Sequence, residues 1–312
     1  MKIRDTESFL IVGAGELGTA VVDALSAHIR KRRSGDTIAV LLRPAASPSA
    51  GRAQLLRDLD TSGVTVEYGD VATASVPELA DLFGRYDTVI SCLGFAAGAG
   101  IQVKLAEAAL SAQVRRYLPW QFGVDYDLIG RGSPQTLFDE QLDVRDMLRS
   151  QEHTDWRIVS TGMFTSFLFD PSFGVVDLPS RTVHALGDWD TEVTVTTPED
   201  IGTLTAAVLH APPGATDKVV HVAGDTLSYG RLADVVEDVL GTEVRRVRWS
   251  TEHLDAELAA DPQDSMKKYR AVFARGVGVA WPKSATFNAR NGIDTTTAHE
   301  WARKNLAPAL ES

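Results

Sequence analysis

The chain has 312 residues, of which 44% are hydrophobic and 23% are charged, and its formal net charge is −11. This composition is typical of one large soluble α/β protein or of two closely joined lobes. A chain this acidic would need a strong basic patch to bind nucleic acid. Its one basic run, residues 28–33, falls at the end of a predicted helix, where cations complement the helix dipole. We therefore expect no nucleic-acid partner.

The single cysteine, Cys92, excludes an internal disulfide framework and fits a reducing compartment. The sequence shows neither a signal-peptide pattern nor an apolar run of about 18 residues. We expect a cytoplasmic protein with no membrane partner and no metal site. We also expect that it takes a small-molecule substrate and is a monomer or a homodimer.

Residues 9–25 predict a strand, a glycine turn and a helix, in that order. The turn has the spacing G-x-G-x-x-G, in which the first glycine allows the tight turn, the second lets the backbone approach a pyrophosphate, and the third lets the helix pack closely. The helix N-terminus then offers its N–H groups to the phosphates. The stretch predicts a dinucleotide site, with contacts from Gly13, Gly15, Glu16, Leu17 and Gly18.

Strand and helix patterns then alternate up to residue 160. Further strands are predicted at 37–42, 64–68, 87–92, 115–118 and 156–160, and helices at 49–61, 75–83, 101–112 and 134–150. This alternation predicts an α/β fold of the Rossmann type, with a doubly wound parallel sheet and right-handed crossovers. We assign residues 1–160 to a dinucleotide-binding domain.

The pattern changes after residue 160. Residues 161–190 carry aromatic residues among glycines and are expected to be irregular chain. Strands at 192–196 and 218–222, joined by a helix that Thr197 caps, are expected to bring residues 192–224 back to the first domain. Residues 161–191 and 225–312 are assigned to a smaller α/β substrate-binding lobe. That lobe has a strand at 243–249 and helices at 228–240, from about 251, and at 297–305.

The end of the second strand indicates which dinucleotide binds. An NAD site carries an acidic residue there, whereas this chain has Arg43. Arg43 can pair with a 2′-phosphate and stack on adenine, and Ser47 and Arg52 are close enough in sequence to add contacts. We therefore predict NADP(H) as the cofactor, the alternative being that Arg43 is an ordinary surface residue. Ligands lie beyond the carboxyl ends of parallel strands, so Asp70 and Val71 should flank the adenine. By the same rule Gly94 and Phe95 should line the path to the nicotinamide.

Three short motifs resemble one known family. Residues 114–125 read V-R-R-Y-L-P-W-Q-F-G-V-D, which resembles the V-K-R-F-x-P-S-E-F-G-x-D segment of isoflavone reductase-like proteins, atypical short-chain dehydrogenases of the NmrA-like group. Residues 102–104 and 199–202 resemble the Q-V-K and E-D-I-G motifs of that family. Arg43 matches its arginine for the 2′-phosphate. The likeness covers most of residues 8–240.

The resemblance implies an NADPH-dependent reductase of aromatic metabolites, or a redox-sensing regulator that binds the nucleotide without turnover. Gln121 and Phe122, in the P-W-Q-F-G segment, are expected to contact the cofactor. The chain departs from the family at three positions. Val12 replaces the first glycine of its longer glycine motif, Gln121 replaces a glutamate, and Gln141 stands where the reductases carry a lysine.

Gln141 matters because hydride transfer leaves negative charge on the substrate, which a proton donor or a hydrogen bond must stabilise. A lysine can do either, whereas an amide donates only a neutral hydrogen bond. None of the six tyrosines has a lysine four residues on, so the usual Tyr-x-x-x-Lys pair is missing as well. Gln141 shares a helical stripe with Leu137, Val144 and Leu148 and should face inward. It is either a satisfied core amide or part of the substrate pocket.

Any proton donor must then be another residue. Tyr126 and Asp125 follow the fifth strand, and Tyr126 is our first choice. Asp139 and Glu140 are expected to point to solvent, and Lys104 to be a surface or structural residue. His184 could reach the substrate from the smaller lobe. An aromatic-rich substrate pocket is predicted from Trp120, Phe122, Met163, Phe164 and Phe167, which alternatively pack the junction of the lobes.

Three functions fit these features. The first is an NADPH-dependent reductase of a small aromatic or apolar substrate. The second is a regulatory protein that senses NADP(H) without turnover, which the missing lysine favours. The third is an enzyme of the same fold that performs non-redox chemistry, such as an isomerisation.

Overall fold

The computed structural model describes residues 6–45, 49–212, 214 and 216–306. Two compact units make up the chain. The first comprises Met1–Gln121, Glu140–Ile158 and Ile201–Val219, and the second comprises Phe122–Asp139, Val159–Asp200 and Val220–Ser312.

The first half of the described chain alternates strands and helices as predicted. Its elements are β1 (Ser8–Val12), α1 (Glu16–Arg32), β2 (Thr37–Leu42), α2 (Ala50–Thr61), β3 (Thr65–Tyr68), α3 (Val76–Phe83), β4 (Thr88–Ser91), α4 (Ile101–Ser111), β5 (Arg116–Leu118), α5 (Tyr126–Ile129), α6 (Leu137–Arg149), β6 (Asp155–Trp156) and β7 (Ile158–Ser160).

The second half has shorter strands between its helices. Its elements are β8 (Met163–Phe164), α7 (Thr165–Leu168), β9 (Val176–Asp177), β10 (Thr182–Leu186), β11 (Glu192–Thr196), α8 (Pro198–Leu209), β12 (Val219–His221), β13 (Asp225–Ser228), α9 (Tyr229–Leu240), β14 (Arg245–Trp249), α10 (Thr251–Ala260), α11 (Ser265–Phe273), α12 (Phe287–Arg290) and α13 (Ala298–Asn305).

A six-stranded parallel sheet forms the centre of the first unit, with the strand order β3-β2-β1-β4-β5-β6. In its middle, Ile11 of β1 lies opposite Val40 of β2 and Ile90 of β4, and all three side chains are fully buried. Such continuous apolar runs are expected of strands that helices cover on both faces. The order is that of a doubly wound Rossmann sheet, so the predicted fold class is confirmed.

The predicted sixth strand, 156–160, is wrong in one respect, because it divides at Arg157. β6 pairs with β5, whereas β7 pairs with β12 in a separate two-stranded sheet. The Arg157 guanidinium donates to the Trp156 carbonyl oxygen at 2.9 Å. The next main-chain N–H, that of Ile158, donates to Lys218 instead of to the central sheet. Residues 218–222 therefore return to this small sheet and not to the parallel one.

The prediction that residues 161–190 are irregular is also wrong, since this stretch contains β8, α7, β9 and β10. The second unit holds two three-stranded sheets, β14-β10-β9 and β13-β11-β8. β11 pairs with β13 and β8 rather than with a strand of the parallel sheet. β8 and β9 have two residues each, which is too few for an alternating pattern to be recognised in the sequence.

Helix α8 packs on α1 through a glycine. A Cβ atom at Gly202 would lie 2.4 Å from the Ala20 carbonyl oxygen and 3.1 Å from the Val21 nitrogen, both main-chain atoms of α1. Because backbone cannot move aside as a flexible side chain can, no larger residue fits there. The glycine of the E-D-I-G motif therefore permits close helix packing within the first unit.

We predict that Gly202→Ala lowers the free energy of unfolding by about 1–3 kcal/mol, the usual cost of overpacking a tight contact. Gly51→Ala is the matched control, because Gly51 lies inside α2 and has open space around the position of a Cβ. Alanine there should stabilise the protein by about 0.4–1 kcal/mol. Urea unfolding measures both, and equal midpoints for the two variants would contradict the packing argument.

Candidate functional site

The glycine turn after β1 has the geometry that its sequence predicts. Gly13 has φ +95°, a conformation that favours glycine. A Cβ at Gly18 would lie 2.1 Å from the Gly13 carbonyl oxygen, so α1 packs directly on the turn. At Gly15 no described residue beyond its chain neighbours lies within 4 Å of the position of a Cβ, so a ligand has room to approach the backbone.

The N-terminus of α1 has no side-chain cap. The N-cap residue is Gly15, which has no side chain that could accept from the N–H groups of the first turn. These groups carry the positive end of the helix dipole, and a helix end of this kind attracts anions. The backbone at Gly15 and the start of α1 together can therefore hold a phosphate group.

A cleft of about 570 Å³ opens in the first unit at the carboxyl ends of β1 to β4. Seven of the predicted cofactor residues line it: Gly13, Gly15, Arg43, Arg52, Asp70, Val71 and Gly94. Residues that the sequence reasoning missed line it too, notably Leu41, Leu42, Leu55, Cys92 and Leu93. Their signal was available, because most of them end a strand or follow one.

Arg43 projects from the end of β2 and is 72% exposed. Its Nε lies 3.7 Å from an Asp70 carboxylate oxygen, and its carbonyl oxygen accepts from Arg52 Nη2 at 2.7 Å. An exposed ion pair of this length contributes little to stability, so the guanidinium can turn to another anion at small cost. Both arginines line the cleft, and Ser47 lies outside the described residues.

The other described cofactor predictions lie outside the lining of the cleft, and they are Glu16, Leu17, Gly18, Phe95, Gln121 and Phe122. Leu17 is buried in α1, and Glu16 begins that helix. Phe95 packs edge-on against Trp120, with ring centroids 4.6 Å apart. Phe122 is buried and belongs to the second unit. Trp120, predicted as a substrate residue, lies against Gly94 in the first unit.

Burial raises the pKa of the Cys92 thiol well above its ordinary value. The side chain lines the cleft but is only 7% exposed. It is therefore a neutral, apolar wall residue at physiological pH rather than a nucleophile.

A buried polar cluster joins β5 to α6. Arg145 is fully buried, and its Nε donates to Gln121 Oε1 at 2.7 Å. Gln121 Nε2 in turn donates to the carbonyl oxygen of Gln141 at 2.8 Å. Gln121, expected at the cofactor, thus bonds to α6 within the first unit.

Gln141 faces inward, as its helical stripe predicts. Its side chain is fully buried, and neither atom of its amide has a hydrogen-bond partner among the described residues. A buried amide without partners costs about 1–3 kcal/mol, so water or a bound ligand is needed to satisfy it. Gln141 therefore differs from a core amide that neighbouring side chains satisfy.

Glu140 contradicts the expectation that it points to solvent. Its carboxylate accepts from the main-chain N–H groups of Gly100, Gln102 and Val103, so it caps the N-terminus of α4. Asp139 accepts from the Gly132 nitrogen at 3.0 Å. Neither carboxylate is a free surface charge, because main-chain donors from earlier in the chain bond to them, and sequence spacing cannot reveal such contacts.

The second unit holds the two residues predicted to supply a proton. Asp125 caps α5, with Oδ1 accepting from the nitrogens of Asp127 and Leu128, and Oδ2 lies 3.0 Å from His221 Nε2. Tyr126 is 1% exposed, and a Cβ at Gly123 would lie 2.5 Å from its hydroxyl oxygen. Asp125 therefore has a structural role at the start of α5, and Tyr126 is enclosed within the second unit.

An aromatic cluster runs through the second unit. Phe138 lies edge-on to Tyr126 at 5.0 Å and to Tyr269 at 6.0 Å, and Phe167 packs against Tyr269 at 5.6 Å and Phe173 at 4.8 Å between ring centroids. Phe138 and Phe173 are buried, whereas Phe167 and Tyr269 are only partly buried. Phe167 and Tyr269 therefore form a partly exposed edge of the cluster. Phe167 was predicted as a substrate residue, whereas Tyr269 was not.

Three further predicted substrate residues also lie in the second unit. Met163 is buried and Phe164 is partly buried, in β8. His184 stacks on Trp249 with ring centroids 3.9 Å apart, and its Nδ1 lies 2.8 Å from the Gly174 carbonyl oxygen. Burial lowers the pKa of His184, so its ring is neutral at physiological pH.

The described residues lack two further kinds of feature. No cluster of three or more His, Cys, Asp or Glu side chains with the geometry for a metal ion occurs among them. None of their helices has the length and apolar character needed to cross a bilayer.

We predict that Gln121→Leu lowers the free energy of unfolding by about 1.5–3 kcal/mol, because it removes an acceptor from the buried cation of Arg145. Gln121→Glu keeps that acceptor and should lower the free energy of unfolding by a smaller amount. Denaturant unfolding distinguishes the two variants. Equal losses would show that the hydrogen bond to Arg145 is not what stabilises this region.

The comparisons with known proteins agree with this geometry. The model of the NmrA-like family matches residues 5–293. An NmrA-like family domain-containing oxidoreductase of Gibberella moniliformis is 45% identical over 301 residues, covering 96% of this chain and 98% of that protein. An isoflavone reductase superposes with a TM-score of 0.79 at 22% identity, covering 96% and 99% of the two chains. A leucoanthocyanidin reductase of Vitis vinifera, solved with NADPH, superposes with a TM-score of 0.76 at 22% identity, covering 94% and 97%. The chain belongs to the NmrA-like family.

Proposed function

We propose that this protein is an NADP(H)-dependent oxidoreductase that reduces a small aromatic or apolar substrate by hydride transfer. The observation that carries the proposal is the single cleft that joins the glycine turn, the uncapped start of α1 and Arg43. The 45% identical oxidoreductase and the NADPH complex of leucoanthocyanidin reductase support it.

The residues of the cleft fit such a dinucleotide. Gly15 leaves open space where a pyrophosphate would approach the N–H groups of α1. Arg43 and Arg52 offer two guanidinium groups at the end of β2, where a 2′-phosphate would lie. Asp70 and Val71 form the wall beside the adenine. When bound, the reduced cofactor supplies the hydride.

Two features of the chain support an aromatic substrate. The partly buried rings of Phe167 and Tyr269 form an accessible aromatic edge, on which a substrate ring could pack. Burial raises the pKa of Tyr269 to about 12, so its hydroxyl keeps its proton at physiological pH. That hydroxyl can donate a hydrogen bond to a substrate oxygen.

Gln141 is our proposed hydrogen-bond donor to the charge that develops on the substrate. Its amide is buried and lacks partners among the described residues, as expected of a group that a ligand satisfies. A neutral amide can stabilise negative charge without transferring a proton. Reduction would then be slower than with an ammonium donor, and water would deliver the proton afterwards.

The second candidate function is an NADP(H) sensor without turnover. The sequence resemblance favours it, because it places Gln141 where the related reductases carry a lysine. A sensor needs the cleft and Arg43 but no donor at position 141. The two functions thus share the nucleotide site and differ in whether a hydride leaves it.

We predict that NADPH binds at least tenfold more tightly than NADH, and that Arg43→Ala removes most of this difference, because a charged pair to a phosphate contributes about 1.5–3 kcal/mol. Titration of protein fluorescence with each nucleotide measures the affinities. Arg57→Ala is the control, since Arg57 is an arginine of α2 that contacts Gln54 and does not line the cleft. Equal affinities of the wild-type protein for both nucleotides would reject the preference.

We also predict slow NADPH oxidation with some members of a panel of aromatic enones, aldehydes and quinones. Gln141→Leu should lower kcat about tenfold or more while the NADPH affinity stays unchanged, because an oxyanion donor acts mainly in the transition state. Gln141→Lys should raise kcat. Gln135→Leu serves as control, since Gln135 is also a buried glutamine with an unpartnered amide nitrogen. Tight NADPH binding with no turnover of any compound would favour the sensor.

A further inference from the structure

Helix α4 does not line the nucleotide cleft, but two of its side chains bond to the loops that do. The residues are Gln102 and Lys104, the first and last of the Q-V-K motif. Residues two apart on a helix point to different sides. The two side chains therefore reach two different loops, while Val103 between them packs against the core of the first unit.

Gln102 holds the loop after β4. Its side chain is 2% exposed, and its Nε2 donates to the Leu93 carbonyl oxygen at 2.8 Å. Leu93 and Gly94 line the cleft directly. This hydrogen bond fixes the main chain at the point where the loop leaves the sheet.

Lys104 holds the loop after β3. Its ammonium donates to the carbonyl oxygens of Ala72 at 3.1 Å and Ala74 at 3.2 Å. On its other side the same loop is closed by Asp70, whose Oδ1 accepts from the Ala72 nitrogen at 2.9 Å. Charge-assisted hydrogen bonds are stronger than neutral ones, so one cation restrains the wall that Asp70, Val71 and Ala72 form.

The helix that carries both residues is itself anchored. Glu140 accepts from three main-chain N–H groups at the start of α4, which satisfies its first turn. Gln102 and Lys104 therefore extend from a helix whose start is held in place. Movement of either loop would break its hydrogen bonds to this helix.

We propose that Gln102 and Lys104 are positioning residues for the nucleotide, because together they hold both loops in place before it binds. Neither side chain needs to touch the ligand. Their effect on affinity arises from preorganisation, since a loop that is already ordered loses less entropy when it binds. This inference rests on the proposed NADP(H) site.

The test uses the full-length chain and measures dissociation constants for NADPH and AMP. Lys104→Met should raise the dissociation constants of both NADPH and AMP about two- to tenfold, the range expected for losing such hydrogen bonds. Both should change because the loop that Lys104 holds forms the adenine wall. Gln102→Leu should raise the dissociation constant of NADPH by a similar factor and leave that of AMP unchanged, because the loop that Gln102 holds lies on the nicotinamide side. Lys104→Arg should bind both as the wild type does, since a guanidinium also donates to carbonyls.

Two matched controls remove side-chain bonds elsewhere in the first unit. Lys218 bonds to Asp155, and Gln151 donates to the carbonyls of Leu148 and Thr154, all outside the cleft. Lys218→Met and Gln151→Leu should leave both dissociation constants unchanged. If Lys104→Met fails to fold, Lys104→Gln repeats the test with a donor too short to span both carbonyls.

Unchanged affinities in both α4 variants, or equal losses for NADPH and AMP in Gln102→Leu, would overturn the inference while leaving the NADP(H) site intact. Failure of the wild-type protein to bind NADPH would overturn the proposed function, and the inference with it.

Discussion

The close approach of α1 to the turn after β1 is the constraint on which the nucleotide cleft depends. Gly18 allows this approach, because any side chain there would meet the Gly13 carbonyl oxygen. The helix then begins at the edge of the sheet with its N–H groups uncapped. Arg43, Asp70 and Gly94 lie at the ends of neighbouring strands, so the parallel sheet brings them to the same edge.

Some polar side chains of the first unit hold the backbone in place, and others are available to bind a ligand. Glu140, Gln102 and Lys104 bond to main-chain atoms and fix α4 and two loops, whereas Arg43 is exposed and bound to its surroundings only weakly. Gln141 belongs to neither group, since it is buried without partners among the described residues. A site that is rigid around an exposed guanidinium suits recognition of an anionic ligand, because little order remains to be gained on binding.

The central sheet was predictable from the sequence because three of its strands, β1, β2 and β4, are compact buried runs between helices. The glycine turn and Arg43 were found for the same reason, since strand ends mark the ligand edge of such a sheet. The break at Arg157 was missed because two short strands in one apolar run look like a single strand. Strands β8 and β9 have only two residues each, which is too few to show a period.

Contacts between segments that are distant in the sequence could not be predicted from it. Glu140 reads as a surface residue of an amphipathic helix, and only the fold brings the start of α4 to it. Tyr269 carries no motif, and its place beside Phe167 depends on how α11 packs within the second unit. Lys104 was expected to be a surface or structural residue. The fold shows which loop it supports, which no spacing rule could identify.

Hydrogen exchange of the backbone with and without NADPH tests the central claim most directly, because it locates the bound nucleotide without requiring turnover. We expect slower exchange in three segments of the first unit, residues 13–19, 70–74 and 93–95, with weaker protection by NADH. Protection confined to other segments, or no change at saturating NADPH, would contradict the assignment of this cleft as a nucleotide site.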